Sequence, residues 1–139
     1  MARRPPAAVR ASLPVRLRPR QQFSVVPGLP YWALEDVHHV EATQLRPGDV
    51  ATAFRELQRY ARVAHQYRAQ WALGCPCCEP LARETLDSAL RALPPRSRAV
   101  LCALIHPLDE EIRRKTLTDP ASPPDWPWWQ RRISGIYRC

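Results

Sequence analysis

The chain has 139 residues, with 21 lysines and arginines against 13 acidic residues, so it is one-domain sized and basic, with a formal net charge of +8. No apolar run approaches the length of a membrane span, and the basic start never develops the apolar stretch of a secretory leader. Membrane and secreted classes are set aside on that basis, and a cytoplasmic, reducing setting is the expectation.

The charge is unevenly placed. Residues 1–34 hold six arginines and no acid, which is +6 of the +8. Prolines at 5, 6, 14, 19, 27 and 30 leave little room for regular structure. The segment reads as a flexible basic arm, with Arg3, Arg4, Arg16, Arg18 and Arg20 as contacts for phosphates or an acidic surface; a plain solvated tail is the competing reading. The stretch Phe23 to Leu34 is apolar enough to dock on the rest. His38, His39, Glu41 and His65 have no metallohydrolase spacing and read as surface residues.

A helical domain is expected over residues 35–117. Its first strong element opens at Pro47-Gly48-Asp49, where Asp49 would cap the free amides of a helix running to about Leu73, with Gly74 as its stop. Val50, Phe54, Leu57, Ala61, Ala64 and Trp71 make its apolar stripe, and Arg55, Arg59 and Arg62 lie mostly off it. A second helix begins near Pro80, carries Leu81, Leu86, Ala89, Leu90 and Leu93, and ends at Pro94-Pro95. The third bears Leu101, Leu104 and Ile105. Pro107 should break or kink that run, so a fourth helix is expected to start there, with Asp109, Glu110 and Glu111 in its first turn and Arg113, Arg114 and Lys115 in its last, ending near Leu117. The fold class is thus all-α: a small bundle of three to four helices.

Residues 118–139 form a Pro/Trp-rich tail. Trp126, Trp128 and Trp129 lie within four positions and precede Arg131 and Arg132. So much exposed indole would be a large apolar patch, and a tail packed on the domain is favoured. Docking to a partner protein, or stacking on bases with the arginines on phosphates, are the other readings.

Cys75 and Cys78 have C-x2-C spacing, and Cys102 and His106 stand four apart in helix three, so these four could close a tetrahedral zinc site. Against this, Cys102 lies in an apolar run where a free thiol is an ordinary small hydrophobe, and His106 precedes a proline. Packed or surface thiols without metal are the alternative, and dipole-activated redox thiols a third. No nucleophile elbow, phosphate-cradling loop or acid–base pair is present, and no enzyme activity or obligate cofactor is expected.

The run LDSALRALPPRSRAVLCAL, residues 86–104, resembles the first helix pair of DNA-binding region 4 of bacterial σ factors. That resemblance implies helix-turn packing but no promoter contacts, because Pro107 and the acidic run 109–111 stand where a recognition helix would follow. More broadly, PPRSRAVL, PLDEEIRRKTLTDP and PPDWPWWQRR resemble small uncharacterised proteins of high-GC actinobacteria, which implies a bacterial origin and no activity.

The function expected from these features is a non-enzymatic interaction module, engaging a protein or nucleoprotein partner through its basic arm and Trp-rich tail. A nucleic-acid-binding regulator and a cysteine-based redox or zinc-sensing protein are the alternatives.

Overall fold

The computed structural model describes residues 25–64 and 82–133, and among them four helices form an all-α bundle. They are α1 (Tyr31–Gln44), α2 (Asp49–Val63), α3 (Ala82–Ala92) and α4 (Pro95–Lys115). α2 packs against both α3 and α4, and α1 lies across α4 and α3. After α4 come β1 (Leu117–Thr118), a 3-10 turn (Trp128–Arg131) and β2 (Arg132–Ile133); the two strands pair antiparallel, Leu117 with Ile133 and Thr118 with Arg132.

Each helix contributes one apolar stripe to a common core: Val37 and Val40 from α1, Phe54 and Leu57 from α2, Leu86 and Leu90 from α3, Leu101 and Ile105 from α4. The spacings of three and four place these residues on single helix faces. Truncating a fully buried member such as Leu86 or Leu101 to alanine should cost about 2–5 kcal/mol.

Three sequence expectations are corrected. First, the helical unit starts before residue 35. α1 begins at Tyr31, and Val26, Leu29 and Ala33 are all buried, so residues 25–34 dock on the bundle, as their apolar side chains predict, and the last four of them already belong to a helix. Gly28 makes this docking possible. Its φ is +89°, a left-handed conformation that suits glycine, and a Cβ there would come within 3.1 Å of the Leu104 side chain.

Second, α4 is continuous through Pro107. Proline removes the amide that would bind the Ala103 carbonyl, but both residues are on the exposed side, where water can take that carbonyl. Leu101, Ile105, Asp109 and Ile112 are buried on the opposite side and hold the two halves in one helix.

Third, Asp49 is not the cap of α2. The N-cap is Gly48 at φ +83°, and the exposed helix amides are met by Glu41 of α1. One Glu41 carboxylate oxygen accepts the Gly48 amide at 3.1 Å and the other accepts the Val50 amide at 2.9 Å. Glu41, expected on the surface, is 3% exposed. A buried carboxylate is tolerable because its charge faces the positive end of α2 and both oxygens are bonded. Asp49 instead closes the preceding turn, accepting the Arg46 amide at 3.0 Å.

The C-terminal ends of α2 and α3 are closed by cations. Arg98 donates to the Leu93 carbonyl at 3.0 Å just beyond α3, and Lys115 donates to the Ala61 carbonyl near the end of α2 at 2.7 Å. Positive groups at helix C-termini oppose the dipole and satisfy carbonyls that have no partner inside the helix. Buried Ser97 of α4 donates to Asp36 of α1, tying the outermost helix to the bundle.

Candidate functional site

The tail crosses the start of α3 and the C-terminal half of α4. Two arginines receive its tryptophans: Arg83 of α3 lies 4.3 Å over the Trp129 ring and Arg113 of α4 lies 4.2 Å over the Trp128 ring. The two indoles meet edge to face, with centroids 6.0 Å apart. Such contacts place the ring quadrupoles against cations, each worth about 0.5–2 kcal/mol depending on exposure. The Gln130 side-chain amide donates a hydrogen bond to the Glu84 carboxylate.

Arg132 fastens the far end. Its guanidinium donates to the Arg113 carbonyl at 2.7 Å, to the Thr116 hydroxyl at 2.8 Å and to the Thr118 hydroxyl at 2.8 Å, and also to the Thr116 carbonyl. It therefore caps α4 from the opposite strand. Burial lowers its pKa, and nearby Arg113 adds to that.

Beneath Trp129, Arg83 also bonds both oxygens of Asp109, at 3.1 and 3.2 Å. Burial pushes the Asp109 carboxyl above its usual range, and Arg83 only partly opposes this. The seam is short of acceptors. Arg83 Nη1, Trp129 Nε1 and Arg131 Nε are buried donors without a hydrogen-bond partner.

The structure thus separates the tail residues singled out from sequence. Trp128 and Trp129 are half-buried against the helices, Arg132 is committed to α4, and Arg131 is partly buried. Trp126 is 47% exposed. It sits in the loop between the strands, where its amide donates to the Pro123 carbonyl at 3.2 Å. Arg83 and Arg113, which receive the indoles, had no signal in the sequence beyond their charge.

Arg3, Arg4, Arg16, Arg18 and Arg20 lie outside the described residues, as do Cys75, Cys78, His65 and the expected extension of α2 to Leu73. Cys102 is exposed rather than packed in the apolar run, and His106 is exposed four residues on. Because α4 is unbroken, the two side chains share one face, and the expected loss of that geometry at Pro107 does not occur. Among the described residues no group of three or more His, Cys, Asp or Glu side chains is arranged to hold a metal ion. No described helix is long and apolar enough to cross a membrane.

Comparison with known proteins gives no significant match to a protein family, a curated protein or a solved structure.

Proposed function

We propose that the protein is a non-enzymatic interaction module that engages a protein or nucleoprotein partner through its basic N-terminal segment and its Trp-rich tail. One observation carries this reading: Trp126 remains 47% exposed while Trp128 and Trp129, two and three residues on, are held by Arg113 and Arg83. An indole presented on a loop braced by Pro123, Pro124 and Pro127 loses little entropy on binding, the property that makes tryptophan a frequent interface anchor. The arm would add charge-steered encounter with an acidic surface.

The test is affinity capture with the full chain, comparing Trp126→Ala and removal of residues 1–24. A partner held by the wild type and lost in both variants, with helical circular dichroism unchanged, is the expected result. An identical set of captured proteins in all three would contradict the reading.

The continuity of α4 favours a second reading, in which Cys102 and His106 bind zinc together with Cys75 and Cys78. A cysteine and a histidine four apart on one exposed helix face can chelate the same ion. Native mass spectrometry should then find one zinc per chain, lost in Cys102→Ser and in His106→Gln; a metal-free chain after purification without chelator would rule it out.

A further inference from the structure

Five of the seven lysines and arginines on α3 and α4 pair with acids, among them Arg91 with Asp87, Arg113 with Glu110 and Arg114 with Glu111, each at 2.8 Å. The outer face of α2 is built differently. Arg55, Arg59 and Arg62 are all exposed and stand at intervals of four and three, so they share one side of the helix, with half-buried Thr52 one turn before them. Among the described residues, neither Arg59 nor Arg62 has an acidic partner.

The end of α2 reinforces the row. Lys115 donates to the Ala61 carbonyl at 2.7 Å and to the Arg62 carbonyl at 3.2 Å, so the negative end of the helix dipole is neutralised beside the last arginine.

We propose that this face binds the phosphate backbone of a nucleic acid, with Arg55, Arg59 and Arg62 as its phosphate contacts. The row rises about 10 Å along the helix axis, the axial length of about three successive phosphates in one strand of a duplex. Guanidinium forks suit phosphate oxygens, and a helix holds them in register without having to order them on binding. The apolar side chain beside this row, Val63, is half-buried rather than exposed, so the face has no exposed apolar group to insert into a bilayer, which favours a nucleic acid over a lipid surface. Contacts of this kind read charge and spacing, so recognition is independent of base sequence.

This surface is separate from Trp126, and its failure leaves the reading of the tail standing. The experiment measures binding of the full chain to a 20-base-pair DNA duplex of mixed sequence between 50 and 200 mM salt. The variants are Arg55→Gln/Arg59→Gln/Arg62→Gln and the matching triple lysine variant, with helicity of each checked by circular dichroism. Loss of three phosphate contacts should flatten the slope of log K against log salt by about 2.7, so the wild type loses about 40-fold more affinity than the glutamine variant across that range. The lysine variant should keep most of the wild-type slope.

Three outcomes would overturn the proposal: no duplex binding by the wild type at 50 mM salt, an unchanged slope in the glutamine variant, or equal binding of the wild type to vesicles of anionic phospholipid. Should the glutamine variant lose its helicity, the single Arg59→Gln exchange carries the same test with a slope change of about 0.9.

Discussion

Two polar joints hold this bundle together, and they are completed to different degrees. At the junction of α1 and α2, one buried carboxylate meets two backbone amides and both Glu41 oxygens are used. At the seam between the tail and α3/α4, Arg83 and Arg132 make many bonds, yet Arg83 Nη1, Trp129 Nε1 and Arg131 Nε are buried with no acceptor. A bonded buried charge stabilises the joint it spans, whereas each unpaired buried donor costs about 1–3 kcal/mol. The α1–α2 junction should therefore open only with the whole fold, and the tail should lift first. A tail that can lift is also one that can offer Trp128 and Trp129, as well as Trp126, to a partner.

The largest effect should come from breaking the satisfied joint. Glu41→Ala removes two charge-assisted bonds and leaves the Gly48 and Val50 amides buried without acceptors. A loss of about 3 kcal/mol is expected, or a Tm lower by about 15 °C for a domain of this size, read by thermal denaturation. Arg132→Ala should follow at about 1–2 kcal/mol, with the tail more readily cleaved by protease while the helices persist. Trp129→Phe sharpens the contrast. Losing ring area and part of the cation–π contact is offset by removing an unpaired indole N–H, so a change within about 1 kcal/mol is expected from chemical denaturation. A loss above about 2 kcal/mol would mean that the indole nitrogen has an acceptor after all.

The smallest effect is a pH dependence. Hydrogen bonds from Arg114 and Lys115 hold the Glu111 carboxyl down at about 2, against an ordinary 4.5. Its contribution is present above pH 4.5 and fades as pH falls from there toward 2. The stability difference between the wild type and Glu111→Gln should be constant above pH 5 and shrink across that window. Asp109 works in the opposite sense: its raised value means that acidification through that value toward 3.8 favours the folded state.

Local signals in the sequence located the middle of the bundle well. Pro47-Gly48-Asp49 marks the start of α2 and Pro94-Pro95 the junction of α3 and α4, because glycine and proline act on the backbone where they stand. α1 was missed because its apolar residues begin inside a proline-rich segment and are interrupted by His38-His39. Pro107 misled for the complementary reason: tertiary burial on the inner face of α4 outweighs one absent bond on the outer face.

The joints were out of reach of any local rule. Glu41 acts on amides seven and nine residues away, and Arg83 on a carboxylate 26 residues away. Of the site, the tryptophan cluster was visible, but which indole stays exposed depends on the 3-10 turn at Trp128–Arg131 and on Arg83 and Arg113.

Native-state hydrogen exchange would compare the two joints in one experiment. The Val50 amide, bonded to Glu41, should exchange only with global unfolding, whereas the Asp119 amide, bonded to the Arg131 carbonyl at 2.7 Å across the strand pair, should exchange through a smaller opening that frees the tail. Equal opening free energies at the two amides would contradict this difference and show that the tail is part of the same cooperative unit as the helices.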